Sequence, residues 1–482
     1  MRTLRVGNWI WRGVAVLATV VAIVLSLRVL QSERQPALEP WHTWAPHELD
    51  HGDLEGADWP AWMAAEDVLF AEVDTHMRQA LEPAHRVAAN RYFEGSPLYP
   101  AKFAHNWNRS YQLLPDGEPR GAVVLLHGLS DSPYSLRHVA RTYATHGFAA
   151  VGLRLPGHGT TPAGLTTVDW RDWQAATRLA VREARRLAGP GKPLHIVGYS
   201  NGGALAMQYT FDALKDDSLD VPARVVLFSP MIGLTRFARY AGLAGWPAIL
   251  PRFSKTAWLE IVPEFNPFKY SSFPVNAARQ SYELTAELGR QLEAIKAAGA
   301  APRLPPVLAF QSVVDSTVLG DAVVSGLFSS LPDNGSELVL FDVNRSAALD
   351  LLLSQPTLAR LDALLPKEPQ PYRITVIGNS AQEARVSENV RAAGATQNET
   401  RALQLEYPRV FFSLSHVALP FPPEDSLYGT DPDGEDYGVH LGNQAPRGEL
   451  GTLLRGADAL VRASCNPFFP YVTERIGELL PD

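Results

Sequence analysis

Six short apolar runs recur between residues 121 and 342, separated by polar or helical stretches. The runs are GAVVLLH, GFAAVGLRL, LHIVGYS, ARVVLFS, PVLAFQS and SELVLFD. Their hydrophobicity is continuous rather than alternating, which is typical of strands buried on both faces of a parallel sheet. The pattern predicts an α/β fold with a mostly parallel sheet flanked by helices. A turn sequence at residues 115–117 predicts a hairpin that leads into the first buried strand.

Two stretches interrupt this alternation. Residues 232–300 begin with aromatic and proline-rich sequence and then show a helical pattern from Ala277 to Ala298, which predicts a helical cap inserted over the sheet. Residues 345–406 contain another helix and a possible extra strand, YRITVIG. The predicted α/β core therefore comprises residues 108–231 and 301–482.

The N-terminus carries an uninterrupted apolar run over residues 13–27, preceded by Arg2, Arg5 and Arg12. A run of roughly 15 residues matches a signal-peptide core, and it spans a membrane only if arginines at both ends reach the interfaces. Because no small-x-small cleavage site follows, we favour an uncleaved signal anchor within residues 1–30 over a signal peptide. The arginines predict a cytoplasmic amino end and export of the remaining chain.

Residues 31–107 are predicted to form a linker and an N-terminal helical arm. As far as about residue 60 the segment is polar and rich in Pro, His and Asp, which is typical of a linker or a loosely packed arm. Helical spacing follows, and it predicts a helix that packs on the main domain through Trp62, Val68, Leu69, Val73 and Met77.

Composition restricts the partners. A chain of 482 residues with 46% hydrophobic residues can form a large core, and a net charge of -8 argues against nucleic-acid binding. Cys465 is the single cysteine, so the chain forms no internal disulfide. The acidic segment Asp431–Gly438 fails the calcium-loop pattern, so we predict no metal. The sequence identifies no protein partner.

A serine between two glycines is the clearest chemical signal. Gly198–Gly202 fits the pattern G-x-S-x-G between a strand run and a small-residue helical pattern. A serine there adopts an unfavourable backbone conformation, and flanking residues without side chains let strand and helix approach closely. We therefore predict that Ser200 is a nucleophile held on a sharp turn.

A serine nucleophile needs a base, and the base needs a carboxylate that orients it. His416 follows an apolar run in a proline-rich loop and is the predicted base, with His440 as a weaker alternative. Asp315, in a short loop after PVLAFQS, is the predicted acid. Asp342, which ends SELVLFD, remains an alternative acid, and otherwise it would cap a turn or meet solvent.

Backbone amides are predicted to stabilise the oxyanion of the tetrahedral intermediate. The amide after the nucleophile belongs to Asn201 at a helix N-terminus, and the second is most simply that of Leu129, where Gly128 lets the loop bend close. His127 and His158 lie beside glycines upstream of the serine and are interpreted as loop-shaping residues.

The order Ser200, Asp315 and His416, together with LLHGLSDSPYS and LRLPGHGTTP, resembles the α/β-hydrolase superfamily. Within it, the chain is most similar to the monoacylglycerol lipase and serine aminopeptidase-like branch. The resemblance covers residues 108–319 and resumes around His416. It implies one antiparallel strand in the sheet, a helical lid after the sixth strand, and carboxylic ester hydrolysis without a cofactor.

Two further features bear on this resemblance. PEFNPFKYSSFPVNAARQ is similar to the segment that returns from lid to core in bacterial, membrane-associated relatives. About a hundred residues separate Asp315 from His416, whereas relatives usually have a few dozen. If the inserted segment follows the last-but-one strand, Asp315 is the acid, whereas a re-threaded sheet would favour Asp342.

These observations predict a membrane-anchored, exported serine esterase or lipase that acts on a lipophilic acyl ester. Aromatic residues of the cap would line an acyl pocket or form the cap's own small core: Phe237, Tyr240, Trp246, Phe253, Trp258, Phe265 and Phe268. One alternative is a serine peptidase that holds a substrate ammonium with Glu260 or Glu264. Another is a non-catalytic, membrane-anchored scaffold for protein partners.

Overall fold

The computed structural model describes residues 2–233, 245–315, 317–318, 320–346, 355–409, 411–432, 434–442 and 461–480. The helices are α1 (Arg2–Glu33), α2 (Pro40–Thr43), α3 (His51–Gly56), α4 (Trp59–Ala80), α5 (Arg137–Thr145), α6 (Trp170–Ala188), α7 (Asn201–Ala213), α8 (Val275–Ala297), α9 (Gln355–Leu358), α10 (Arg360–Leu364) and α11 (Phe469–Gly477). The strands are β1 (Tyr111–Leu113), β2 (Gly121–Leu126), β3 (Phe148–Leu153), β4 (Leu194–Tyr199), β5 (Arg224–Phe228), β6 (Trp258–Glu260), β7 (Phe273–Pro274), β8 (Val307–Ser312), β9 (Glu337–Phe341), β10 (Arg373–Asn379), β11 (Arg385–Arg391), β12 (Glu399–Glu406), β13 (Phe411–Leu414) and β14 (Val461–Ala463).

Ten strands form one sheet in the order β1-β3-β2-β4-β5-β8-β9-β10-β11-β12. The strands from β3 through β10 in this order are parallel, and all six predicted runs are among them. Because these strands are buried on both faces by the flanking helices, their side chains are mostly apolar. The predicted α/β fold with a mostly parallel sheet is confirmed.

The predicted hairpin at residues 115–117 is wrong. β1 pairs antiparallel with β3 instead of β2. β2 lies between β3 and β4, so neither of its edges is open to β1. A second antiparallel strand, β11, pairs with β10, so the described sheet departs from the single antiparallel strand that the resemblance implied.

The segment 345–406 extends the sheet at its far edge. The extra strand expected at YRITVIG is β10, which pairs parallel with β9. β11 and β12 were not predicted, because both carry mostly exposed or half-buried side chains and lack a continuous apolar run. The segment therefore adds strands beyond β9 and leaves the order of the central strands unchanged.

The cap is only partly helical in its described portion. The helical pattern predicted from Ala277 corresponds to α8. Residues 246–249 and 251–257 form 3₁₀ turns, each with proline in its first turn, and β6 pairs with β7 before α8 begins. Proline restricts helix propagation, which accounts for short turns where a helical cap was expected.

The N-terminal arm packs closely on the core. In α4, Trp62, Leu69, Val73 and Met77 are buried as predicted, whereas Val68 is 62% exposed, so that residue was assigned to the wrong face. The preceding segment, expected to be loosely packed, buries Leu54 in the main core, and its Glu48 accepts hydrogen bonds from the core residue Arg154. This polar segment is held on the core by α3 and by the pairing of Glu48 with Arg154, neither of which an apolar sequence pattern would reveal.

Candidate active site

Ser200 occupies a sharp turn between β4 and α7. Its backbone has φ 54° and ψ -115°, a conformation that L-residues rarely adopt. The turn is held on both sides, because the Ser200 amide donates to the Phe228 carbonyl at 2.9 Å and the Ser200 carbonyl accepts from the Met231 amide at 3.0 Å. The fold thus fixes a strained serine at the carboxyl end of a central strand.

The glycines on either side of Ser200 leave no room for a side chain. A Cβ atom at Gly198 would lie 2.4 Å from the Gly202 carbonyl oxygen. A Cβ atom at Gly202 would lie 2.0 Å from the Leu126 carbonyl oxygen of β2. These approaches agree with the prediction that the motif requires glycine for steric reasons.

The structure brings His416 and Asp315 together. His416 Nδ1 lies 2.7 Å from Asp315 Oδ2, which also accepts from Gln311 Nε2 at 3.1 Å. Asp315 Oδ1 accepts from the backbone amides of Thr317 and Val318, at 2.8 and 3.2 Å. Burial alone would raise the pKa of Asp315, but His416 and these amides outweigh it, so the pKa is lowered. The carboxylate is thereby kept ionised beside the imidazole.

Asp342 has a different partner. Its carboxylate forms an ion pair with Arg345, whose Nη2 lies 3.2 Å from Oδ1, and Asp342 is only 3% exposed. The expectation that Asp342 meets solvent is therefore wrong. Burial raises the pKa of Asp342 despite the Arg345 charge. β10 covers the outer edge of β9, and the side-chain partner of His416 is Asp315 rather than Asp342.

Ser200 and His416 line one cavity of about 320 Å³. Its walls are largely apolar and include Leu129, Met231 and Phe273. The cavity places the serine and the imidazole around a common space that a substrate can enter.

The two predicted oxyanion donors flank this cavity. Leu129 contributes to its wall, and Asn201 is the first residue of α7, directly after Ser200. Within the described chain, neither backbone amide has an acceptor at hydrogen-bond distance. A Cβ atom at Gly128 would lie only 3.3 Å from Ser200 Cβ, so glycine keeps this loop close to the nucleophile.

Three other histidines have different surroundings. His127 Nδ1 bonds to the Gly128 carbonyl at 2.8 Å, and its Nε2 accepts from the Leu155 amide at 3.1 Å. His158 Nδ1 bonds to the Pro156 carbonyl at 3.1 Å. Both therefore shape loops, as predicted, and burial lowers the pKa of His158 to about 3. His440, the alternative base, does not line the cavity that contains Ser200.

The described cap aromatics of the predicted set do not line the cavity beside Ser200. Phe237 and Tyr240 are outside the described residues. Trp258 and Phe268 are 2% and 1% exposed, and Phe268 stacks on Tyr134 in the core. The other three are Trp246, Phe253 and Phe265, and none of the five described residues lines the cavity beside Ser200. The described members of this set therefore serve packing or other surfaces, and the apolar wall beside the motif residues includes Met231, Phe273 and Ala278.

Sequence reasoning missed two charged groups, one in the cavity and one in the protein core. Lys269 lines the cavity and follows Phe268 in the segment NPFKYSS. Asp425, which is fully buried, lies 2.8 Å from Arg137 and 3.0 Å from His138, and it also accepts from Tyr134. No sequence motif marks either group, because each acquires its partners or its cavity only when distant segments pack together.

Comparison with known proteins gives the following matches. Residues 117–316 match the family described as serine aminopeptidase, S33. The chain is 25% identical over 233 residues to the thermostable monoacylglycerol lipase of Bacillus sp. (strain H-257). This alignment covers 46% of this chain and 85% of that protein. It is 33% identical over 101 residues to the monoacylglycerol lipase of Mycolicibacterium smegmatis, covering 20% of this chain and 34% of that protein.

Solved structures include similar chains. One is a soluble variant of monoglyceride lipase from Saccharomyces cerevisiae in complex with a substrate analog, with a TM-score of 0.36 and 16% sequence identity. The match covers 48% of this chain and 81% of that chain. The family match begins after the arm and ends before His416.

Proposed function

We propose that this chain cleaves lipophilic acyl esters through an acyl-enzyme on Ser200. It is a carboxylic ester hydrolase of the α/β-hydrolase superfamily, in the monoacylglycerol lipase and serine aminopeptidase-like branch. The observation that carries the proposal is geometric. Ser200 and His416 line one cavity, and His416 contacts the buried carboxylate of Asp315. This arrangement supports the roles of nucleophile, base and orienting acid.

In the proposed first half-reaction, His416 donates its Nδ1 proton to a hydrogen bond with Asp315, which leaves Nε2 free to accept the proton of Ser200. Ser200 Oγ attacks the ester carbonyl carbon, and the amides of Leu129 and Asn201 stabilise the oxyanion. The ester C–O bond then breaks as His416 returns the proton to the departing alcohol. The acyl group remains on Ser200.

In the second half-reaction, His416 takes a proton from water, and the resulting hydroxide attacks the acyl carbon. Collapse of the second tetrahedral intermediate releases the carboxylic acid and restores Ser200 with the proton from His416. The cycle needs no cofactor.

The character of the cavity favours a lipophilic acyl group. Leu129, Met231, Phe273 and Ala278 supply apolar surface around Ser200, and a volume of about 320 Å³ suits a small lipid ester. The relatives named monoacylglycerol lipase support an ester of glycerol with one acyl chain as the first substrate to test.

A serine peptidase is the second candidate, because the matched family is described as serine aminopeptidase. Such an enzyme needs an acidic group to hold a substrate ammonium. Lys269 is the one permanently charged residue among the described residues that line the cavity, and a cation would repel that ammonium. The Glu264 carboxylate accepts from the amides of Ser271 and Ser272 away from the cavity, and Glu260 is exposed on β6. The charge distribution therefore favours ester hydrolysis.

We further propose that the enzyme is anchored in a membrane with its catalytic domain exported. The structure contains one helical segment, Gly13–Glu33, that is long and apolar enough to cross a membrane by length and composition. Added protease should digest the catalytic domain in spheroplasts and spare it in intact cells. Recovery of the protein in the cytosol would refute this location.

Hydrolysis by matched serine variants tests the reaction. Ser200→Ala should lower turnover of a short-chain nitrophenyl ester and of monoacylglycerol by roughly 10⁶-fold. Ser229→Ala is the control, because Ser229 also ends a parallel strand with a positive φ of 40° and is fully buried, yet it does not line the cavity. Full activity in a folded Ser200→Ala protein would overturn the proposal.

A further inference from the structure

The C-terminal end of the membrane helix is bound to the cap. The Arg28 guanidinium donates to the Trp258 carbonyl, and Gln35 Nε2 donates to the Leu259 carbonyl at 3.0 Å. In return, Lys255 Nζ donates to the Gln35 carbonyl at 3.0 Å. The cap is thereby attached at the level where the apolar part of α1 ends.

The same part of the cap carries exposed apolar side chains. Trp246, Ile249 and Leu250, which we call the cap ridge, are 58%, 83% and 58% exposed. The 3₁₀ turn that holds the ridge packs on the next turn, residues 251–257, which contacts α1. Large exposed apolar residues grouped in this way mark an interaction surface rather than ordinary protein surface.

Within its own segment of the chain, the ridge is accompanied only by positive charges. Residues 245–257, GWPAILPRFSKTA, contain Arg252 and Lys255 and no carboxylate. A tryptophan beside aliphatic residues and cations is the composition expected at the boundary between lipid headgroups and acyl chains, where cations also meet anionic lipid. A protein partner is less favoured, because the helix that holds this face in place is itself the candidate membrane span.

We infer that the cap ridge docks on the bilayer in which α1 is anchored, so that the cap meets its lipid substrate at the membrane surface. This inference rests on the proposed membrane anchor. It adds a second contact with the membrane and fixes the orientation of the catalytic domain, which a single helix alone would leave free to tilt.

The ridge is close to the catalytic cavity. Trp246 and Ile249 line a separate cavity of about 420 Å³ together with Tyr282 and the ion pair of Arg279 and Glu283, all on α8. Other residues of α8, including Ser281, line the cavity that contains Ser200. A lipid held at the ridge is therefore separated from the nucleophile by a single helix, which makes the ridge a short route from bilayer to active site.

Site-specific fluorescence in vesicles tests the docking. Full-length protein carrying Ile249→Cys, in a Cys465→Ala background, is labelled with a nitrobenzoxadiazole fluorophore and reconstituted into vesicles of zwitterionic and anionic phospholipid. Nitroxide-labelled lipid should quench this fluorophore severalfold more strongly than one at Val221→Cys. Val221 is 41% exposed and precedes β5, so it lies at the opposite end of the sheet from Ser200.

Equal quenching at both positions, in protein that co-sediments with the vesicles, would overturn the inference. Failure to co-sediment would refute the anchor and the inference together. Adding Ser200→Ala should leave the quenching unchanged, so failure of the proposed reaction is distinguishable from failure of docking.

A second variant protects the test against a labelling artefact. The double substitution Ile249→Ser and Leu250→Ser should lower hydrolysis of monoacylglycerol in vesicles by about tenfold, and it should change hydrolysis of a soluble short-chain ester by less than about twofold. Val221→Ser is the control and should affect neither. Equal loss on both substrates, or no loss in vesicles, would contradict the role of the ridge.

Discussion

The loops after β8 and β9 place two aspartates at neighbouring strand ends with different surroundings. Asp315 and Asp342 are 9% and 3% exposed, and each follows a parallel strand of the same sheet. Asp315 contacts His416 and two backbone amides, whereas Asp342 pairs with Arg345. The comparison teaches that a strand-end carboxylate acquires its role from the chain that packs against it.

The largest expected effect is on catalysis. Asp315→Asn should lower turnover by about 10⁴-fold, because the amide no longer holds His416 in the tautomer that accepts the serine proton, nor stabilises the imidazolium. Steady-state hydrolysis of a nitrophenyl ester measures the effect. If the loss followed Asp342→Asn instead, the assignment of the acid would be wrong while Ser200 and His416 kept their roles.

A third buried carboxylate extends the comparison to stability. Asp425→Asn should lower the free energy of unfolding by roughly 3–5 kcal/mol, because Arg137, which is 2% exposed, would lose its ion-pair partner in the core. Denaturant unfolding of detergent-solubilised, full-length protein measures the change. The control is Glu293→Gln, whose pair with Lys296 is on the surface and should contribute at most about 1 kcal/mol. Equal effects of the two variants would contradict the account.

Asp342→Asn should separate structure from catalysis. We expect turnover within about threefold of wild type and a loss of at most about 1 kcal/mol of stability at neutral pH, because the amide weakens the pair with Arg345 but also removes an unfavourable buried charge. The activity assay and the unfolding assay, applied to one preparation, check both parts. Strong loss of activity without loss of stability would show that Asp342 acts in catalysis.

The pH dependence of stability also distinguishes Asp315 from Asp342. Each unit of pKa shift between the unfolded and folded states changes the free energy of unfolding by about 1.4 kcal/mol. The lowered pKa of Asp315 makes its ionised form stabilising above the unfolded pKa near 4, and that contribution is lost as pH falls through the folded pKa. The raised pKa of Asp342 has the opposite effect on stability. Its protonated form stabilises the folded state at low pH, and that contribution is lost as pH rises through the folded pKa.

The stability loss caused by Asp315→Asn should therefore shrink below about pH 4. The loss caused by Asp342→Asn should grow as pH falls from neutral toward 4. Unfolding curves of wild type and both variants between pH 7 and 3 provide the measurement. Parallel pH profiles for the two variants would contradict the opposite environments assigned to the two carboxyls.

The sequence predicted what depends on local pattern. Continuous apolar runs identified the central strands, and the spacing of Gly198, Ser200 and Gly202 predicted the strained turn, because its steric requirement lies within five consecutive residues. The sequence favoured Asp315 as the acid but left Asp342 as an alternative. That choice depends on where His416 returns, about a hundred residues later.

What remained unpredicted depends on packing between distant segments. β11 and β12 form an edge extension with few buried side chains, so they lack the apolar signal of a central strand. Lys269 reaches the cavity only because its segment is held beside the loop after β2, where the Tyr270 amide donates to the Ser130 carbonyl at 2.7 Å. For the cap aromatics, the sequence left an acyl pocket and a packed core as alternatives, because composition alone does not distinguish the two.

The most direct test of the central claim is covalent labelling of the nucleophile. Full-length protein treated with a fluorophosphonate should carry the phosphonyl adduct on the peptide that contains Ser200, as read by mass spectrometry. Ser200→Ala should abolish the adduct, and Ser229→Ala should keep it. An adduct on another serine, or labelling that persists in Ser200→Ala, would contradict the account.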